Sequence, residues 1–331
     1  MTEQPPPNIL VRLGHLLLWP LLLYGAGASL LLLLRLLSGE SLWPVLLFNN
    51  FLPALLLPAL LFLPLLLLLR RWRAAALQAP PALAFALMYG TLFLPTVSAP
   101  TPAADAPQIS VLTFNLSLRN RDFEAVVQML RAVDADVVAL QEVNRAAYFY
   151  LDDDLADLYP YRAFHPDLQP PGQAVLSRFP ILEDNYWQVE RAHQRVLLDF
   201  GGTPIVLYNV HPVHFTLNRR VFFSFEAQQR EIDDILARTV NENVPLLLVG
   251  DFNTSDQSAM YQRFAALYSD AFRTVGSGLG LTFPGALPLA RLDYVFYNPA
   301  FVPLEALVWP DTGGSDHHPV FARLAWVGQS G

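Results

Sequence analysis

Between Leu13 and Leu34 the chain carries no acidic or basic side chain other than His15, and from Ser41 to Leu69 it carries none at all. A helix that crosses the hydrocarbon core of a bilayer needs about 20 mostly apolar residues, so each stretch is long enough to cross. Arg35 and Glu40 lie between them. Arg70, Arg71 and Arg73 follow, and a third uncharged stretch runs from Ala74 past Val97, containing Gln78 and the pair Pro80–Pro81. Proline is tolerated in a spanning helix when neighbours satisfy the freed carbonyls. The pattern predicts about three membrane helices, over 13–34, 44–69 and 74–97. A secretory signal would show one shorter apolar core and a cleavage site, which these segments do not. The arginine cluster at 70–73 belongs on the cytoplasmic side. With three spans everything after Val97 lies outside the cytoplasm; with two it stays inside. The expectation is a multi-pass membrane protein, in contact with the bilayer through these helices, with its remaining part extracytoplasmic.

Residues 98–107 read as a proline- and alanine-rich tether. Beyond it the composition changes, and 108–331 has the size of one domain with a sizeable core. From residue 105 onward lie 27 of the 29 acids and 16 of the 21 arginines, a net charge of about −11. Lysine and cysteine are both absent, so disulfides and thiol chemistry are excluded.

Short apolar runs bounded by turn residues recur through this part. QISVLTFNL, ADVVALQEV, GQAVLSRF, RVLLDFG, PIVLYNVHPV, VPLLLVGDFN, RLDYVFYN and PVFARLAWV read as strands. FEAVVQMLRAV, SFEAQQREIDDILARTV and AMYQRFAALYSDAF have helical spacing. Strands neighbouring strands, mixed with helices, predict an α/β fold of two packed sheets covered by helices.

The polar residues that call for explanation stand where apolar runs stop. Asn115 ends SVLTFN, Glu142 ends VVALQE, Asn209 and His211 end VLYNVH, and Asp251 and Asn253 end LLLVGDFN. Asp293 lies in ARLDYVF, and Ser315, Asp316, His317 and His318 precede the last strand. A strand repeats every two residues, which would aim Asp251 and Asn253 the same way. Glu142 and Asp316 offer hard oxygen ligands and Asn115 a neutral one, a set suited to Mg2+ or Mn2+. Histidines beside such an ion can handle protons during attack on phosphorus.

Each feature has a plainer reading. Asp251 and Asn253 suit an Asx turn, Glu142 could cap the next element, His211 could be a satisfied core histidine, and Ser315 a helix-capping serine. GSGLG at 276–280 reads as a flexible turn, and Asp152–Asp154 as a solvated face.

Taken in order, TFN, LQEV, GQAVLSRFPI, NVH, GDFN, TFP, RLDYVF and SDHHPV resemble the endonuclease/exonuclease/phosphatase superfamily, the deoxyribonuclease I-like fold, across 108–327. The resemblance implies a four-layered α/β sandwich, two mixed sheets flanked by helices, with the site at one rim. It implies that Glu142 binds the metal with Asn115 beside it, assisted by Asp316. Asp251 would orient or deprotonate the attacking water, and Asn253 would contact the phosphate, with Gly250 keeping the backbone from crowding it. His317 would bind a phosphoryl oxygen and transfer a proton, its ring held by Asp293, and His211 would help the leaving group. Leu116-Ser117 after Asn115 departs from the abasic-site repair enzymes, which carry an acid two residues on.

The expected activity is metal-dependent hydrolysis of a phosphoester, either nucleic acid or a phospholipid headgroup; no protein partner is inferred. Acidic net charge opposes a polyanionic substrate, although Arg119, Arg121, Arg145, Arg178, Arg195, Arg219 and Arg220 could form a local basic patch. The alternative is a membrane-tethered binding protein on an inactive scaffold, which loss of Glu142, Asp251 or His317 would have marked.

Overall fold

A computed structural model describes residues 9–94, 102–169, 171–214, 216–218 and 222–328; the linker positions 98–101, and Arg219 and Arg220, lie outside the described residues. The chain divides into two compact units, Met1–Phe93 and Leu94–Gly331.

The first unit is helical: α1 (Ile9–Ser38), α2 (Trp43–Asn49), α3 (Leu52–Leu68) and α4 (Trp72–Tyr89), the last running on through a 3-10 turn, Gly90–Phe93. Leu18–Ser38 and Trp72–Phe93 are long and apolar enough to cross a membrane. The stretch expected as one continuous helix over 44–69 is instead α2 and α3, bent by 75° at a short break. Pro53 stands in the first turn of α3, where its missing N–H costs no helical bond. Helix α4 passes through Pro80 and Pro81 intact. Its fully buried Gln78 donates to the Leu21 carbonyl of α1 at 2.7 Å. Gly25 makes room for that amide, since a Cβ there would lie 2.4 Å from Gln78 Nε2.

The second unit contains, in order, β1 (Gln108–Asn115), α5 (Phe123–Val133), β2 (Val137–Val143), α6 (Arg145–Asp154), β3 (Tyr161–Leu168), β4 (Pro171–Ser177), β5 (Ile181–Gln188), β6 (Ala192–Phe200), β7 (Thr203–Val210), β8 (Thr216–Asn218), β9 (Phe222–Ser224), α7 (Glu226–Thr239), β10 (Leu246–Asp251), α8 (Ala259–Ala265), β11 (Ser269–Asp270), α9 (Ala271–Val275), β12 (Asp293–Tyr297), β13 (Phe301–Val308) and β14 (Val320–Trp326). The segment AMYQRFAALYSDAF, expected as one helix, is α8, β11 and α9. Asp270 causes the break: it pairs with Phe296 of β12, and its side chain accepts from Phe272 N and Arg273 N, capping a new helix.

The strands form two six-stranded mixed sheets, ordered β13-β14-β1-β2-β4-β3 and β11-β12-β10-β7-β6-β5. Each has a parallel pair near its centre, β1 with β2 and β7 with β10. Period-two alternation sorts the side chains. Ile109, Val111, Val137, Ala139, Leu247, Val249 and Val295 fill the seam between the sheets. Leu112, Phe114, Val138 and Leu140 face outward onto the inner sides of α5 and α6. Beyond the second sheet, Phe252, Tyr261, Phe264, Tyr294 and Phe296 pack edge-on and tilted against one another. This is the expected arrangement of two mixed sheets flanked by helices.

Candidate active site

The inward rows do not stay apolar to their ends. Following Ile109 and Val111, β1 presents Thr113 and Asn115 to the seam; following Leu247 and Val249, β10 presents Asp251. Strands β1, β2, β7 and β10 all finish at this rim, while β12 begins there with Asp293, paired in register with Asp251. His317 arrives from the loop before β14, which runs antiparallel to β1. Topology thus brings residues as distant as Asn115 and His317 to one place.

Asp251 is the hub. Its Oδ2 accepts from Asn115 Nδ2 at 2.9 Å and stands 3.6 Å from His211 Nε2 and 3.7 Å from His317 Nε2. His317 Nδ1 meets Asp293 Oδ2 at 2.9 Å. The backbone places the His317 ring: Ser315 Oγ donates to the Asn115 carbonyl and accepts from His317 N, and Phe283 packs on the imidazole with centroids 4.9 Å apart. The neighbouring His318 turns away, its two nitrogens facing the carbonyls of Trp309 and Gly285.

Glu142 reaches the rim by a local device. Simple alternation would aim it where Val138 and Leu140 point, toward the helices. Instead the β2–β4 register slips between Gln141 and Val143, and Glu142 has φ +57°. Such a bulge re-aims one side chain, often beside a functional site. Gly172 permits it, because a Cβ there would come within 2.4 Å of the Val143 carbonyl oxygen. The redirected carboxylate accepts from Leu118 N at 2.7 Å through Oε2, and Oε1 lies 3.8 Å from His211 Nε2.

At the end of β10 two sequence expectations need correction. Asp251 and Asn253 do not share a strand face, because β10 stops at Asp251 and Asn253 takes φ +51°. Both proposed roles of the aspartate coexist: Oδ1 accepts from Asn253 N at 2.9 Å in an Asx turn, while Oδ2 faces the site. Asn253 Nδ2 donates to the Pro212 carbonyl, beside His211. Gly250 likewise has a different reason from the one expected. A Cβ on it would lie 1.8 Å from the Val210 carbonyl oxygen of β7, at φ +147°, so glycine is required by the neighbouring strand.

Asp316 is exposed, and among the described residues its carboxylate bonds to none of this cluster. Of the expected basic patch, Arg178 is paired with Asp134 and Asp136, and Arg195 with Glu183 and Glu242. Asp152 is paired with Arg162. One contributor went unnoticed in the sequence: Gln141, next to Glu142, crosses the seam to Asn209 Oδ1 at 2.7 Å and ties the two sheets together just below the rim. A glutamine on the inward row of a buried strand was the available signal.

Burial and charge set the protonation of the cluster. Burial alone would depress the His317 imidazole, but the carboxylates of Asp293 and Asp251 more than reverse this and push it up to about 10. Burial raises the carboxyl of Asp251, opposed by the His317 charge. Burial also holds His211 well below the usual histidine value, helped by the charges of Arg191 and His317. The site therefore combines a charged imidazole, a neutral one and a carboxylate with raised proton affinity.

Two places suit a cation. Asp251, Asp293 and His317 offer atoms within 4.8 Å of one another. Within that group His317 Nδ1 and Asp293 Oδ2 already bond to each other as a histidine–carboxylate pair. Glu142, partly exposed at the rim, and Asn115 offer oxygen donors of the kind a hard divalent ion takes. Glu142 Oε2 accepts from Leu118 N and Asn115 Oδ1 from Ser117 N, each oxygen keeping a second lone pair.

Solved structures share this fold. An endonuclease/exonuclease/phosphatase protein from Bacteroides vulgatus matches 66% of this chain and 99% of its own, at 19% identity and TM-score 0.55. D. rerio TDP2, humanized by 14 mutations, matches 66% of this chain and 98% of its own, also at 19% and 0.55. A mannosyl-6-phosphatase from Bacteroides thetaiotaomicron matches 66% of this chain and 100% of its own, at 19% and 0.52. At such identities the likeness is one of fold. No curated protein matches the chain at a significant level. The model of the Endonuclease/Exonuclease/phosphatase family matches residues 112–317. With more than half of the chain matched, and the whole rim cluster inside the match, the chain belongs to the Endonuclease/Exonuclease/phosphatase family.

Proposed function

We propose that this protein is a membrane-anchored phosphoesterase that hydrolyses a phosphodiester by in-line attack of an activated water. The observation that carries the reading is the convergence of Asn115, His211 and His317 on one oxygen of the buried Asp251. A carboxylate whose proton affinity is raised by burial is suited to take a proton from water. Its bond from Asn115 and its turn to Asn253 leave it no freedom to rotate away. His317, charged and braced by Asp293, donates to a phosphoryl oxygen as negative charge builds there. His211, neutral, donates a hydrogen bond from Nε2 toward the phosphoryl or leaving oxygen, and Asn253 contacts the phosphate. Glu142 and Asn115 would hold Mg2+ or Mn2+, with Asp316 at the outer edge. The ion's chemistry there, when bound, is Lewis-acid polarisation of phosphoryl oxygens.

The two long apolar helices and the bent pair support attachment to a bilayer, with the catalytic domain (108–331) extracytoplasmic beyond the linker at 98–107. Attachment raises the effective concentration of a lipid headgroup. The domain is acidic overall and Arg178 and Arg195 are engaged in ion pairs, although Arg119, Arg121 and Arg145 are exposed, so net charge weighs against a polyanion. A phospholipid headgroup diester is therefore preferred to nucleic acid as substrate. The full chain in lipid nanodiscs with Mg2+ would be given supercoiled plasmid and, separately, phospholipid vesicles. Headgroup release that is lost in His317→Ala supports this reading. Plasmid nicking lost in the same variant would replace lipid by nucleic acid, and inactivity on both together with simple phosphodiesters would overturn it.

A further inference from the structure

Helix α7 does something that its amphipathic pattern conceals. Its buried face includes not only Ile232 and Ile235 but also Gln228 and Glu231, which are 1% and 0% exposed. These two are three residues apart and so share one side of the helix. Gln228 Nε2 donates to the carbonyls of Phe252 and Asn253, at the end of β10. Glu231 serves the neighbouring strand end. Its Oε2 accepts from Val213 N, and its Oε1 accepts from Glu190 N at 3.2 Å and from Arg191 N in the β5–β6 turn. The same Oε1 lies 3.4 Å from Nε2 of His193, within electrostatic reach but not aligned as a hydrogen bond among the described residues, and the ring has no solvent exposure.

The His193 ring completes the connection. Its Nδ1 accepts from the backbone N–H of His211 at 3.1 Å. An imidazole nitrogen that accepts carries no proton, so a neutral ring must hold its proton on Nε2, facing Glu231. Trp187 packs on the ring with centroids 5.2 Å apart and donates its own N–H to Asp234 of α7 at 2.7 Å. The geometry matters because, among the described residues, no hydrogen bond aims the His211 ring: its Nδ1 is buried without a partner, and its Nε2 stands 3.6 Å from Asp251 Oδ2. Its Nε2 nevertheless has to stand between Asp251 and Glu142. What directs it is the backbone, held at His211 N by His193, at the Pro212 carbonyl by Asn253, and at Val213 N by Glu231. Pro212 further confines His211 to extended conformations.

We propose that Glu231 and His193 are positioning residues for His211, the carboxylate holding the turns on either side of the His193 ring and attracting its Nε2 edge, and the ring fixing the backbone from which the His211 imidazole reaches Asp251. The role assigned to the imidazole rests on the phosphoesterase reading above, but the backbone pin does not, and the test separates them.

Three substitutions at His193 divide its two contacts. Asn places an acceptor where Nδ1 stands but does not reach Glu231; Gln restores a donor toward Glu231 but no acceptor for His211 N; Phe keeps ring volume and neither contact. Full-length variants in nanodiscs would be compared by amide hydrogen exchange over 209–213, by melting temperature, and by kcat and KM on a simple phosphodiester. Residues that orient an active-site group from behind typically cost about 10- to 100-fold when removed. The expected result is faster exchange confined to 209–213 and a fall in kcat of that size for Phe and Gln, with KM nearly constant. Asn should recover both. In a His211→Ala background the Phe change should cost kcat nothing further. Unchanged exchange at 209–213 in His193→Phe overturns the pin, whatever substrate the enzyme takes. Equal losses for Asn, Gln and Phe that track melting temperature, or full additivity with His211→Ala, overturn the positioning role. A wild-type chain inactive on every phosphoester sinks the catalytic reading; the exchange result then decides the pin by itself.

Discussion

Replacing Asp293 by Asn isolates the electrostatics of the site from its shape. The side chains are isosteric, and Asp293 is fully buried at the start of β12, with its Oδ2 2.9 Å from His317 Nδ1. A buried hydrogen bond to a charged partner contributes about 1.5–3 kcal/mol, and each pKa unit corresponds to about 1.4 kcal/mol. Loss of the carboxylate therefore lowers the His317 pKa by about one to two units from its position near about 10. The sign follows from the cause: the carboxylate favours the imidazolium, so without it the ring loses its proton at lower pH. If the charged ring acts on the phosphoryl oxygens, the alkaline limb of kcat/KM against pH moves downward by that amount. Because His317 is coupled to Asp251, the limb belongs to the pair. A ring shifted by that amount is still charged at neutral pH, so the peak rate should fall far less than the roughly 100- to 10,000-fold that loss of a proton-transfer group costs. The assay is the pH dependence of simple phosphodiester hydrolysis, from acid to strongly alkaline pH, in the wild type and Asp293→Asn. An alkaline limb that stays in place or moves upward would refute the assigned electrostatics, even if the rate fell.

Other perturbations follow from the same geometry. Gly250→Ala should destabilise the catalytic unit by about 2–4 kcal/mol, from a forced contact with Val210 added to an unfavourable backbone angle; a melting temperature equal to that of the wild type would contradict the strand-approach explanation. Chelation of divalent ions should abolish turnover, with Mg2+ restoring it. Glu142→Gln should need at least about tenfold more Mg2+ for half-maximal rate, and an unchanged Mg2+ dependence would remove Glu142 from the metal set. Protease added to intact cells should digest the catalytic unit if it is extracytoplasmic, whereas protection alongside a digested control would place it inside.

The sequence carried the two-sheet fold and the rim because strand alternation is local. Runs such as SVLTFN and LLLVGD state which residues face the seam, and each polar residue ending an inward row became a site candidate that the topology gathers. What local periodicity cannot register is a change of backbone region. The left-handed turn at Asn253 and the bulge at Glu142 are single-residue events; Gly172, which permits the bulge, and Val210, which requires glycine at 250, lie on other strands. The break between α2 and α3 was more accessible, since Pro53 follows the Asn49–Asn50 pair, but the apolar run outweighed it. Glu231 had a readable signal as well: with Gln228 it occupies the stripe of α7 that Ile232 and Ile235 bury, where charge is out of place unless paired. Its partners, the backbone amides of two remote loops, have no sequence signature. Asp316 is the opposite case: adjacency to His317 is its whole signal, and the turn leaves its side chain exposed at the outer edge of the site.

The most direct test of the central claim is hydrolysis of a simple phosphodiester by the full chain with Mg2+ in oxygen-18 water, run for the wild type and Asp251→Asn. The account predicts one labelled oxygen on the phosphorus product per turnover, and a loss of at least about 100-fold in the variant. No label on phosphorus, or a variant as fast as the wild type, would contradict water attack prepared by Asp251.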